Sequence, residues 1–249
     1  MSGDTGADNI AFSRASWVGL SGGFGTIKIG RQVKQSGTAN GDFSAAGYRG
    51  TSAETAVGMR YASNNNLGSS SRISSEISYA TPNLSGFVGR IGYVLPGETT
   101  ANTSVLDVGL SYNNGPVGLA LGYIKGSGKE ANYGLHASYD FGPTKVLGSY
   151  NVVGKGFGAK AAVAASGSTA AVAAKPGTLA KETGFTIGLQ APIGAATVFA
   201  EYARNNDSKL TSFELGADYA LSKRTALTVA LNKTKDLSAG YYAGIRHSF

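Results

Sequence analysis

Alternation with a period of two runs through this chain and leaves little room for anything but strand. Side chains along a strand point to opposite faces in turn, so such alternation means one face meets an apolar medium and the other does not. In Leu106-Asp107-Val108-Gly109-Leu110-Ser111-Tyr112, large apolar side chains take every second place and small or polar ones fall between. Phe213-Glu214-Leu215-Gly216-Ala217-Asp218-Tyr219 repeats the scheme, as do the runs Ile73–Tyr79, Tyr133–Tyr139 and Phe185–Ala191. No comparable stretch keeps an apolar face at the ~3.6-residue period of a helix. The predicted class is all-β.

The pattern predicts about 13 strands, near residues 10–20, 25–32, 71–81, 86–94, 104–112, 117–124, 132–140, 145–153, 183–191, 195–203, 210–220, 225–233 and 241–249. Most reach the ~9–11 residues that a tilted strand needs to cross a bilayer. Tight Gly/Pro/Asn turns such as Asn113-Asn114-Gly115-Pro116 and Phe141-Gly142-Pro143 alternate with longer connections, among them 155–181. In an up-and-down meander this puts every tight turn at one end and every long loop at the other. Several apolar rows end in tyrosine on the turn side (Tyr79, Tyr112, Tyr139, Tyr219), as an aromatic girdle would.

Composition narrows the setting. Charged residues are 15% of 249, against about 25% in a soluble domain. Yet no apolar run approaches the ~18 residues of a membrane-spanning helix. Cysteine is absent and there are only two histidines, which leaves no disulfide scaffold and no His- or Cys-rich metal centre. The net charge of +7 is spread over many strands with no basic patch or arm, so nucleic acid is not an expected partner. Neighbour-to-neighbour connections argue against a Greek-key sandwich. A dozen amphipathic strands in an open meander would aggregate in water, whereas closure in lipid satisfies every backbone group. The reading is a single domain, 1–249, forming an antiparallel up-and-down transmembrane β-barrel.

One connection breaks the rhythm. After Gly25-Thr26-Ile27-Lys28-Ile29-Gly30-Arg31, no strong strand returns until Arg72. A loop of this length is usually functional, and a water-filled barrel tolerates irregular backbone folded inward.

The sequence resembles the trimeric general diffusion porins of Gram-negative outer membranes, of the betaproteobacterial type. The matching pieces are Phe12-Ser13-Arg14-Ala15-Ser16-Trp17-Val18-Gly19-Leu20, Gly23 to Gln32, Ile77-Ser78-Tyr79-Ala80-Thr81-Pro82-Asn83, Leu221-Ser222-Lys223-Arg224-Thr225 and the terminal Gly244-Ile245-Arg246-His247-Ser248-Phe249. The resemblance implies an integral outer-membrane channel, a passive path for small hydrophilic solutes with weak anion preference, needing no cofactor. It implies a homotrimer in outer-membrane lipid. The family barrel has about 16 strands, so the chain is expected to begin inside the fold, near the fourth strand; Met1-Ser2-Gly3-Asp4 has no signal-peptide character.

The resemblance also gives the ion path an address. The third loop, 33–58, bends into the lumen; Arg14 and Arg60 match wall arginines of the family, and Asp42 and Glu54 are the loop acids. Parity places Lys28 and Arg90 on the lumen side as well. Tyr241, Ala243, Ile245 and Phe249 resemble the C-terminal signal read by the outer-membrane assembly machinery. Two other classes compete: a surface adhesin or receptor acting through the long loops, and a barrel hydrolase using His136, Ser138 and Asp140. Residues two apart on a strand lie ~7 Å from each other, too far for a nucleophile and its base, so the latter is disfavoured.

Overall fold

The computed structural model describes residues 15–40, 53–57, 72–96, 104–155 and 181–247. The strands are β1 (Ser16–Gly22), β2 (Gly25–Val33), β3 (Arg72–Ala80), β4 (Phe87–Val94), β5 (Val105–Asn114), β6 (Val117–Gly126) and β7 (Asn132–Asp140). They continue as β8 (Lys145–Val153), β9 (Glu182–Ile193), β10 (Ala196–Asn205), β11 (Thr211–Ala220), β12 (Thr225–Thr234) and β13 (Gly240–His247). Two short helices, α1 (Gln35–Asn40) and α2 (Ala53–Ala56), interrupt the long connection between β2 and β3. All thirteen strands form one sheet in chain order, each antiparallel to its neighbour, as the alternation predicts.

Burial along the strands is inverted relative to a soluble protein. Ile27, Ile29, Leu119, Leu135, Leu215 and Leu231 stand exposed on the outer row, while Glu76, Asp107, Glu201 and Glu214 are buried on the inner one. The inner row is knitted across strands by its own hydroxyls and amides. Ser149 and Thr186 share a hydrogen bond at 2.7 Å, Ser212 and Thr234 one at 2.9 Å, and Thr228 donates to Asp218 at 2.6 Å. A sheet with this polarity is stable only where its outside is apolar and its inside holds water or a second layer of protein.

The predicted alternation slips once. Between Gly30 and Gln32 the β2–β3 register shifts, with Gly30 opposite Glu76 but Gln32 opposite Ile73. Bulges of this kind re-aim side chains. Gly30 sits at φ 132, and a Cβ there would strike the Ser16 carbonyl on β1, so glycine is required at the bend. Gly89 lies on the outer row. It shares parity with Phe87 and Ile91, which are exposed on the outside.

The helices were not expected from a Gly/Ser/Ala-rich stretch. Gln-Ser-Gly-Thr-Ala-Asn has poor intrinsic helix propensity. It winds because a wall residue accepts the N–H groups that a first helical turn leaves without partners.

Candidate functional site: the inner face beside α1

That acceptor is Asp107, on the inner row of β5. Its carboxyl takes the backbone N–H of Gln35, and that of Ser36 at 3.0 Å. Nearby, Gln35 Nε2 donates to Glu76 Oε2 at 3.0 Å, and Gln32 Nε2 to the Glu76 carbonyl at 3.2 Å. α1 lies against β4, β5 and β6. The wall beneath it has been cleared by glycine. A Cβ on Gly109 would run into the Gln35 carbonyl and meet Ala39 Cβ at 2.9 Å, and one on Gly92 would collide with the Glu76 carboxyl. These two glycines make room for the helix and for the Glu76 carboxyl it bonds.

α2 has a parallel arrangement on β10, β11 and β12. Glu201 Oε1 accepts the backbone N–H of Glu54 at 2.9 Å, and Asn205 Nδ2 donates to the Val57 carbonyl at 3.3 Å. Ala53 and Val57 pack in one buried cluster with Val153 of β8 and Ala203 of β10. Thus each short helix is held to the inner wall by a carboxyl on its opening turn, one on β5 and one on β10. The loop is clipped at both ends of its described path.

Beside α1 opens a polar cavity of about 360 Å³. Lys28, Arg90, Gln32, Ser78, Thr38 and Trp17 line it, together with Gln35 and small residues. Lys28 Nζ lies 4.2 Å from the centroid of the Trp17 ring, a cation–π contact that holds the ammonium over β1. Arg90 Nη1 donates to Ser111 Oγ at 2.9 Å, and Ser78 Oγ to Gln32 Oε1 at 2.9 Å. Among the described residues, no carboxyl lines this space. Among the described residues, the acids nearest to it, Glu76 and Asp107, are the ones engaged with the loop.

Lys34 stands in the link between β2 and α1, 1% exposed. Burial pushes its ammonium down to about 8, against the opposing pull of Asp107 and Glu76.

Of the residues singled out in the sequence, Lys28 and Arg90 come together in one cavity. Glu54 lies on α2, 5% exposed, with Oε1 accepting from Asn151 at 3.4 Å. Arg14, Arg60 and Asp42 lie outside the described residues, as does the long connection from 156 to 180. Tyr241, Ala243 and Ile245 share the exposed row of β13; Phe249 is outside the description. His136 and Ser138 are buried on the inner row of β7, whereas Asp140 is exposed at the turn and accepts from the Gly142 N–H at 2.8 Å.

Asp107, Glu201, Gly92 and Gly109 were missed. The signal for the acids was available: a carboxyl in mid-strand on the inner row of an otherwise Ser/Gly/Thr face.

Comparison with known proteins places this arrangement in context. The model of the Gram-negative porin family matches residues 2–237. Outer membrane porin protein 32 of Delftia acidovorans is 31% identical over 280 residues, covering 97% of this chain and 72% of that protein. An outer membrane porin protein of Bordetella pertussis is 29% identical over 301 residues, covering 99% of this chain and 74% of that one. Among solved structures, an anion-selective porin from Comamonas acidovorans superposes with a TM-score of 0.70 at 25% identity, over 98% of this chain and 80% of the other.

Proposed function

Because this chain belongs to the Gram-negative porin family and is an outer-membrane β-barrel channel, we propose that it passes small hydrophilic solutes with a preference for anions, set by Lys28 and Arg90. The observation that carries this reading is the segregation of charge on the inner face. The two cations border open space, while the carboxyls beside them accept hydrogen bonds from the loop. A mobile anion beside Lys28 and Arg90 meets positive charge and amide donors, while the nearby Glu76 and Asp107 carboxyls are turned to the loop. A cation there meets only repulsion and the Gln32 and Ser78 oxygens. The anion-selective porin from Comamonas acidovorans agrees with this direction.

The segment 33–58 narrows the path, with α1 and α2 as its two points of attachment. Arg14 and Arg60 add to the cationic side and Asp42 to the opposing one, while Glu54 fixes α2 to Asn151. The protein works as a homotrimer in lipid, and its last strand, with Tyr241, Ala243, Ile245 and Phe249, is the segment read during assembly. Zero-current potentials in planar bilayers under a KCl gradient test the central statement. Lys28→Glu with Arg90→Glu moves the reversal potential toward cation preference, and an unmoved potential refutes the assignment of these two residues.

A further inference from the structure

We propose that a dent in the outer wall, floored by Ala137 and Gly148, seats one acyl chain of a phospholipid. This rests on the outer-membrane barrel reading only in requiring that the outer row face lipid.

Tyr112, Leu119, Ala137 and Gly148 are successive register partners across β5, β6, β7 and β8. The next outward row, toward the long loops, is Leu110, Leu121, Leu135 and Tyr150. Bulk falls away along the first row, from tyrosine to leucine to alanine to glycine, and rises again at Ile187 on β9. The result is a groove of about 550 Å³ open to the outside.

Nothing in the backbone asks for glycine at 148. Its φ is not positive, and an added Cβ would meet only the Thr186 carbonyl, at 3.6 Å, an ordinary contact. Gly92 and Gly109 differ, since the Glu76 carboxyl and the α1 backbone occupy the places of their missing side chains. What Gly148 leaves is space on the outer side, and an unfilled hollow in an apolar face forfeits dispersion contacts.

The occupant follows from the lining. Leucines and aromatic faces surround the groove and, among the described residues, no charged side chain lines it, so it takes hydrocarbon and not a headgroup. It is continuous with the apolar outer face that membrane already covers, and a thin flexible chain fits a slot open along one side. Phe87 and Tyr112 place the groove in the half nearer the tight turns, which are periplasmic in bacterial barrels. The chain therefore comes from the periplasmic leaflet, and belongs to a glycerophospholipid.

The test uses the full chain in the outer membrane of a Gram-negative host grown with a diazirine-bearing fatty acid. After irradiation, adducts are mapped by mass spectrometry, and their mass distinguishes glycerophospholipid from lipid A. Glycerophospholipid adducts within 110–121 and 135–150 should exceed those on the exposed outer row of β12 at Leu227, Val229 and Leu231 by about tenfold. Ala137→Leu with Gly148→Leu should bring them down to the β12 level. Equal yields on the two walls of the unmodified protein, adducts of lipid A mass, or cross-links to a second copy at this groove would each overturn the proposal. The comparison within the unmodified protein decides the matter even where the filled variant does not fold. Unchanged anion selectivity alongside uniform labelling would overturn the lipid seat alone.

Discussion

Asp107→Asn tests the clip that holds α1. In the native arrangement both carboxyl oxygens accept backbone N–H groups, from Gln35 and Ser36, at a site with no solvent exposure. A hydrogen bond to a carboxylate contributes about 1.5–3 kcal/mol. Asparagine keeps one acceptor but turns an NH₂ against the second N–H, which leaves a buried donor facing a donor at a further ~1–3 kcal/mol. A loss of about 3 kcal/mol in all lowers the ratio of seated to released α1 by roughly two powers of ten. A loop that leaves its seat rarely then leaves often enough to be recorded. Single-channel traces in planar bilayers should show added open-channel noise and excursions to higher conductance, because α1 no longer lies against β4, β5 and β6. The noise, not the reversal potential, reports the loop. Unitary conductance and noise equal to the unmodified protein would refute the argument that Asp107 holds α1 in place.

Glu201→Ala removes the acceptor of the Glu54 N–H; with one bond at stake rather than two, added noise should be present but smaller than for Asp107→Asn, and the same recordings decide it. Gly109→Val places a side chain where the Gln35 carbonyl lies, so it should reproduce the noise of Asp107→Asn, whereas Gly148→Ala, with open space for its methyl, should leave conductance unchanged. Lys34 has its ammonium lowered to about 8, so raising the pH from 7 to about 9 removes a positive charge and should move the reversal potential toward cations, by less in Lys34→Met. Removing Phe249 should lower the amount of folded protein in the outer membrane, read by heat-modifiable mobility on gels, if the last strand carries the assembly signal.

The sheet was legible because its signal is local. Leu106 to Tyr112 states its own strand, its outer face and its inner face, and the register of β5 with β6 follows from the tight turn between them. Lys28 and Arg90 are assigned to the lumen by parity alone, and both line the cavity beside α1. The register slip at Gly30 was not legible, since the two residues Ser74 and Ser75 that it leaves over on β3 look like ordinary members of a polar row.

The helices and their seats were illegible for a different reason: their causes lie elsewhere in the chain. Gln35 and Asp107 are 72 positions apart, and Glu54 and Glu201 147; nothing in Gln-Ser-Gly-Thr-Ala-Asn announces a helix until an acceptor is placed above its first turn. The wall does carry a trace of the contact. An inner row that faces only water has no reason to hold Val153 and Ala203, which form the floor under α2, or a buried carboxyl at 107 and 201. Those residues depart from the Ser/Gly/Thr pattern where a second layer of protein touches the wall. In a barrel of this kind, exceptions on the inner row therefore locate the inward loop, and exceptions on the outer row, such as Gly148, locate what the membrane side must fill.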